Sequence, residues 1–249
     1  MQSFMFVTDL DNTLVGNDAA LLELNQNLGQ HRKKYETKIV YATGRSLFLY
    51  QQLKREKKLL DPDALIAAVG TEIYINGSQI PDTHWSEKIS AGWDEELVLS
   101  VTGCFPELIP QSNSEQNHFK VSFQLNEADA ARVIPQLKLQ FRRQHLDIKI
   151  LYSSGIDLDI IPVSSDKGQA MQFLRQKWGF IAEDTVACGD SGNDIALFAI
   201  GEEKGIIVGN ARPELLEWHR DNPGKYCYLA KNTCAGGIIE GLKYFGLME

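Results

Sequence analysis

Short apolar runs rich in β-branched and aromatic residues, separated by segments of helical period, constrain this chain more than any other feature. The runs are FMFVT (4–8), KIVYA (38–42), LIAAV (65–69), TVAC (185–188), GIIV (205–208) and YCYL (226–229). Runs this short with little polar alternation suit strands buried on both faces, as in a parallel sheet. Between them, Leu21, Leu24 and Leu28 repeat at i, i+3 and i+7, and Gly29 predicts the helix end. A second helix is expected from Leu47 to Leu60, stopped by Pro62, and a third from about Asp166 to Trp178, ended by Gly179. Pro213 suits the first turn of PELLEWH. Strand and helix in alternation predict an α/β fold on a doubly wound parallel sheet.

The rhythm breaks in the middle. From roughly residue 84 to 161 the pattern reads helix, strand, helix, strand, strand, with HFKVSFQL and DIKILYS alternating and SSGI turning the chain into DLDII. This predicts a smaller α+β cap inserted at 84–161, with the core formed by 1–83 and 162–249. Pro135 lies inside an otherwise helical pattern, so that helix either kinks or starts late. EIYINGSQI is a hairpin candidate with Asn76 and Gly77 as a type I′ turn.

A 249-residue chain of 43% hydrophobic content can bury a real core. Its 25 basic and 33 acidic residues give a net charge of −8, which argues against nucleic acid as a partner, because phosphate-backbone affinity rests on an excess of Lys and Arg. The clusters HRKK (31–34) and KREKK (54–58) read as solvated faces. Cys104, Cys188, Cys227 and Cys234 form no C-x-x-C pair and suit reduced thiols in a cytoplasmic protein. The N-terminus has no basic n-region and its apolar run is cut by Asp9, so neither a signal peptide nor a membrane partner is expected.

Chemistry concentrates at the strand ends, where doubly wound sheets bind ligands. Asp9 and Asp11 follow the first strand in TDLDNTLVG. A calcium loop beginning at Asp9 would need an oxygen ligand, a glycine and a glutamate where Thr13, Leu14 and Ala20 stand, so that reading fails. A capped turn with two solvent-facing acids remains until the other strand ends are considered. After the second strand comes ATGRS, after the fourth GDSGND, and SSDKG places Lys167 at a helix start. Hydroxyl, backbone N–H, cation and carboxylates thus converge on one rim. That set suits phosphoryl transfer through a covalent intermediate. Asp9 and Asp190 with a backbone carbonyl make a hard oxygen site for Mg²⁺. Asp9 is placed to attack phosphorus, and Asp11 to protonate the leaving oxygen and then deprotonate water. Thr43 and the N–H groups of Gly44 and Arg45 can hold phosphate oxygens, while Lys167 offsets charge on the transferring group. No G-x-G-x-x-G, P-loop, H-E-x-x-H or G-x-S-x-G motif competes.

These motifs, FVTDLDNTL, VYATGRS, Lys167 in SSDKG, and CGDSGND, resemble the haloacid dehalogenase superfamily of phosphohydrolases, in which a cap inserted between the second and third motifs closes over the substrate. Over nearly the whole chain, AVGTEIY, PQSNSEQNHFKVSF, SSGIDLDIIP and NARPELLEW resemble the sucrose-phosphatase family of cyanobacteria and plants. Ile156 and Val163 depart from residues frequent there, a lysine and a glutamine. The resemblance implies hydrolysis of sucrose 6-phosphate. It also implies a metal shell of Asp9, the Asp11 carbonyl and Asp190 supported by Asn193 and Asp194, and a substrate rim that includes Gly70, Thr71 and Asn193. Glu72, Gln111, Lys120, Ser153 and Asp157 are candidate partners for sugar hydroxyls. The alternatives are a phosphatase for another sugar phosphate, of the mannosyl-3-phosphoglycerate or trehalose 6-phosphate type, and a noncatalytic partner domain of sucrose-phosphate synthase. Association with that synthase is compatible with catalysis as well.

Overall fold

A computed structural model describes residues 2–224 and 226–248. Their strands form two sheets. The larger takes β1 (Met5–Thr8), β2 (Lys38–Ala42), β3 (Ala64–Ala67), β4 (Glu72–Ile75), β9 (Thr185–Gly189), β10 (Lys204–Ile207) and β11 (Cys227–Leu229), in the order β11-β10-β9-β1-β2-β3-β4. All neighbours pair parallel except β3 with β4. The register sets Thr8 beside both Tyr41 and Cys188. The loops that follow β1, β2 and β9 therefore leave the sheet at one rim.

Alternation along β1 divides the core. Phe4 and Phe6 pack with α1 (Asp18–Tyr35), α2 (Leu47–Lys57) and α9 (Cys234–Tyr244) on one face. Met5 and Val7 pack with α3 (Thr83–Ser90), α6 (Lys167–Trp178) and α7 (Ile195–Ala199) on the other. Both faces are covered, which is why these strands carry continuous apolar runs. A further helix, α8 (Pro213–Asp221), starts at Pro213 as expected.

The smaller sheet holds β5 (Ile109–Pro110), β6 (Val121–Gln124), β7 (Ile148–Ser153) and β8 (Asp157–Pro162), antiparallel in the order β5-β6-β8-β7. α4 (Glu95–Thr102) and α5 (Glu127–Arg143) cover one face through a cluster that includes Val98, Val133, Leu137, Phe141, Leu158 and Ile160. Along β8 the alternation puts Leu158 and Ile160 into that cluster and turns Asp157 and Asp159 the other way.

Several local expectations need correction. α1 runs through Gly29 to Tyr35, because Leu28 and His31 continue its buried face and Arg32, Lys33 and Lys34 complement the carboxyl end of the helix. α2 stops at Lys57, with Lys58 in the left-handed region. The two basic clusters are not simply solvated. His31 is buried against Thr37, Arg32 pairs with Asp63, Lys54 with Asp61 and Lys57 with Asp18. α5 starts at Glu127 and passes through Pro135, whose exposed side leaves the unbonded carbonyl to water. Asn76 and Gly77 both have positive φ and close a turn from Ser78 N to Ile75 O, but β4 pairs back with β3, not with a following strand. α3 falls within the expected insertion, yet its Trp85 and Ile89 pack on the large sheet.

Candidate active site

The turn after β1 presents the two lead acids differently. Leu10 and Leu14 anchor it in the core, Val15 N and Leu14 N both donate to Leu10 O, and Asn12 adopts a left-handed φ of 59°. Asn210 clamps it from outside by donating Nδ2 to Asn12 O at 2.7 Å while accepting from Cys234 N. Asp9 points into the protein and is buried. Asp11 stays at the mouth, its side chain 44% exposed, and accepts from Arg45 Nε at 2.7 Å and Arg45 Nη2 at 2.8 Å. Two parallel bonds of this kind fix the carboxylate's plane as well as its place.

Behind Asp9 lies Lys167. Its Nζ is fully buried and donates to Asp9 Oδ1 at 2.7 Å, Asn193 Oδ1 at 2.8 Å and Asp194 Oδ1 at 2.7 Å, using all three N–H groups. Asp194 uses its other oxygen to accept from Asp190 N at 3.0 Å and Ser191 N at 3.1 Å. Both its oxygens are engaged, so it shapes the 189–194 loop. Asp190 is held by Thr13 Oγ1 at 2.8 Å, and its carbonyl accepts from Arg212 N.

Carboxylate oxygens of Asp9, Asp190 and Asp194 lie within 4.8 Å of one another. One ammonium faces three acids. Burial drives the Asp9 carboxyl well above its ordinary range; Lys167 pulls it down, and Asp194 and Asp190 push it up further. Burial, then the Asp194 charge, raises Asp190 to about 7. Burial would lower Lys167, but Asp194 and Asp9 outweigh it and raise it. Buried oxygen donors short of positive charge match a hard divalent cation, which would relieve this repulsion.

These groups close one end of a cleft of about 420 Å³ between the two sheets. Gly44, Arg45, Asp190 and Asn193 line it from the large sheet. The small-sheet side contributes Gln111, Lys120, Ser153 and Asp157, together with Glu115 and Asp159. Lys120, only 2% exposed, reaches Asp159 at 3.3 Å and Glu115 at 3.9 Å. Ser122 Oγ donates to Asp159 at 2.6 Å, and Gln111 Nε2 to Asp157 at 2.9 Å. Burial raises Glu115 and Asp157. Such a wall is rich in acceptors for hydroxyl groups.

Not every expected residue reaches the cleft. Thr43 is fully buried, and its hydroxyl accepts from Arg45 N at 3.1 Å, so it holds the loop from behind. Lys167 meets Asp9 and does not line the cleft. Gly70, at φ +102°, sits where a Cβ would come 2.2 Å from the Asp166 carbonyl carbon, a packing role at the start of α6. Thr71 is fully buried, donating to Ala68 O and accepting from Asn117 Nδ2. Glu72 accepts from Tyr74 Oη away from the cleft lining. Sequence reasoning missed Asp159, Glu115, Asn12, Thr13 and Ser191. Asp159 had a readable signal, since two acids at i and i+2 mark one face of an otherwise apolar strand.

A family profile described as Sucrose-6F-phosphate phosphohydrolase matches residues 2–246. The chain is 43% identical over 254 residues to Probable sucrose-phosphatase 2 of Arabidopsis thaliana, covering 98% of this chain and 60% of that protein. It thus spans about 60% of the length of the plant relatives it matches. It is 32% identical to the mannosylfructose-phosphate phosphatase of Agrobacterium fabrum, over 96% of each chain. Among solved structures, the sucrose-phosphatase of Synechocystis sp. PCC6803, in complex with sucrose and phosphate, superposes with a TM-score of 0.93 at 37% identity, covering 99% of each chain. A more distant haloacid dehalogenase-like hydrolase shares the fold. Among the described residues no helix is long and apolar enough to cross a membrane.

Proposed function

The chain belongs to the sucrose-6F-phosphate phosphohydrolase family, and from that premise we propose that it hydrolyses sucrose 6-phosphate to sucrose and phosphate in a Mg²⁺-dependent reaction. The observation that carries this reading is that Asp9 and Asp190, backed by the buried Lys167 and Asp194, close a cleft whose opposite wall is Gln111, Lys120, Asp157 and Asp159. The first set suits a phosphate, the second a polyhydroxylated leaving group.

Asp9 attacks phosphorus to give an aspartyl-phosphate, and Lys167 pulls that buried carboxyl toward its ionised form and aims it. Asp11, the acid left at the mouth, gives its proton to the departing sugar oxygen and later takes one from the water that cleaves the acyl-phosphate. Arg45 donates to both Asp11 oxygens in this structure, so one of the two bonds has to open before Asp11 can carry the proton that the leaving oxygen takes. Asp9, Asp190 and the Asp11 carbonyl would hold Mg²⁺, which supplies charge neutralisation at the phosphate oxygens. The N–H of Gly44 remains suited to a phosphate oxygen, whereas that of Arg45, expected to share the role, is taken up by Thr43 Oγ1.

The small sheet acts as the specificity lid, beginning after Ser90 because α3 packs with the core. A cytoplasmic setting is supported by four free thiols. Docking to sucrose-phosphate synthase is a separate proposal, tested by pull-down with that enzyme. The mannosylfructose-phosphate relative makes a second disaccharide phosphate the competing substrate. Phosphate release is to be measured from sucrose 6-phosphate, mannosylfructose phosphate, trehalose 6-phosphate, mannosyl-3-phosphoglycerate and glucose 6-phosphate, with Mg²⁺ and with chelator. A clear preference for sucrose 6-phosphate that is lost with chelator is expected. Comparable turnover of all five would sink the substrate assignment.

A further inference from the structure

Two contacts join the small sheet to the loops that carry the site, and neither has a part in the chemistry above. On β7, Lys149 Nζ donates to the Asp166 carboxylate. The same carboxylate caps α6 by accepting from Gln169 N at 2.7 Å, and the next residue is Lys167. Asp166 has little freedom of its own, since the turn at Gly70 packs directly on its carbonyl. Elsewhere on the boundary between the sheets, Glu214 in the first turn of α8 presents one oxygen to two backbone N–H groups. Oε1 accepts from Ser154 N at 3.3 Å and from Gly192 N at 3.4 Å. Ser154 belongs to the turn between β7 and β8, and Gly192 precedes Asn193 and Asp194. The site at Gly192 is tight. A Cβ there would lie 3.0 Å from Glu214 Cγ and 3.3 Å from Tyr152 O.

We propose that Lys149 and Glu214 are positioning residues that make the placement of Lys167 and of the 189–194 loop depend on the small sheet being seated over the cleft. This deepens the phosphatase reading and rests on it. Each contact brings the small sheet onto the large-sheet side and ends one residue from a group that meets Lys167 or is Lys167. Separating the sheets breaks both links, leaving the buried Asp166 carboxylate without its cation and the Ser154 N–H without its acceptor, while Glu214 keeps only Gly192. A ligand that fills the cleft touches both walls, favours the seated state, and thereby favours the ordered loops.

The test compares Lys149→Met, Lys149→Arg, Glu214→Ala and Glu214→Gln in the full chain. Methionine keeps the aliphatic stem without the charge, and glutamine keeps an acceptor oxygen. Hydrolysis of sucrose 6-phosphate and of p-nitrophenyl phosphate is measured for each. In parallel, electron spin resonance reads the distance between labels at Lys138→Cys on α5 and Gln26→Cys on α1, in a Cys104→Ser, Cys227→Ser background. Lys149→Met and Glu214→Ala are each expected to lower kcat/KM about tenfold, with kcat and KM both moving. Lys149→Arg and Glu214→Gln recover most of it. Label distances, read well below the melting transition, lengthen and broaden in the two disruptive variants. Unchanged distances in both, or activity losses that merely follow a fall in melting temperature, overturn the proposal. If the wild-type chain hydrolyses neither ester, the phosphatase reading fails, and the distances alone decide whether these residues seat the small sheet.

Discussion

Lys167 commits all three N–H groups to Asp9, Asn193 and Asp194 in a place water does not reach. Taking that cation away leaves three buried carboxylates facing one another. Lys167→Met is therefore expected to destabilise the metal-free protein by about 3–5 kcal/mol, the cost of breaking a buried pair from one side. Urea unfolding with and without Mg²⁺ reads it, and a loss under about 1 kcal/mol would show that the acids do not depend on the lysine. Asp9→Asn works in the opposite direction. It removes one of the repelling charges and leaves Lys167 with Asp194, so the variant should unfold at no lower temperature than wild type while releasing no phosphate above background. Retained turnover would reject Asp9 as the nucleophile.

Among the elements, α5 offers a clean measurement because Pro135 sits in its interior and faces solvent. Proline there forfeits one helical hydrogen bond and crowds the preceding turn, and its stiffening of the unfolded chain offsets part of that cost. Pro135→Ala should stabilise by about 1–2 kcal/mol in urea unfolding without changing kcat/KM; a destabilised variant would mean the proline is needed where it stands. The same helix shows where sequence reading stops. An interior proline announces a conflict, but only the packing of Val133, Leu137 and Phe141 shows that the helix wins it. α6 was legible at both ends because Asp166 and Gly179 cap it locally. α1 was not, since tertiary burial of His31 carried it past Gly29 to an end at Glu36 that has no glycine signal. Strand-end acids were legible for the same local reason as α6. Which of them face the cleft was not: Thr43, Gly70 and Thr71 ended behind the wall, while Asp159 and Glu115 reached it through pairing between β6 and β8, with Arg45 drawn onto Asp11 by a contact 34 positions away.

For the whole molecule, the acid cluster links folding, pH and cation. In the unfolded chain Asp9 and Asp190 ionise near the ordinary carboxylate value of about 3.9. In the folded chain burial and neighbouring acids hold Asp190 at about 7 and Asp9 well above its usual range. Between about 3.9 and 7 the folded state keeps protons that the unfolded state has released, so this contribution stabilises at low pH and is lost as pH rises through the window. A divalent cation competes for the same oxygens as those protons. If one proton is displaced, the Mg²⁺ concentration needed for a given stabilisation should rise about sixteenfold from pH 7, where the carboxyl is half protonated, to pH 5.5, approaching tenfold for each further unit below the folded value. Thermal unfolding across a Mg²⁺ titration at pH 5.5, 7 and 8 reads this directly. The rise in melting temperature at a fixed Mg²⁺ concentration should be largest at pH 8 and smallest at pH 5.5, and Asp190→Asn should flatten the difference. An equal rise at all three pH values would mean that the cation is held elsewhere than on Asp9 and Asp190.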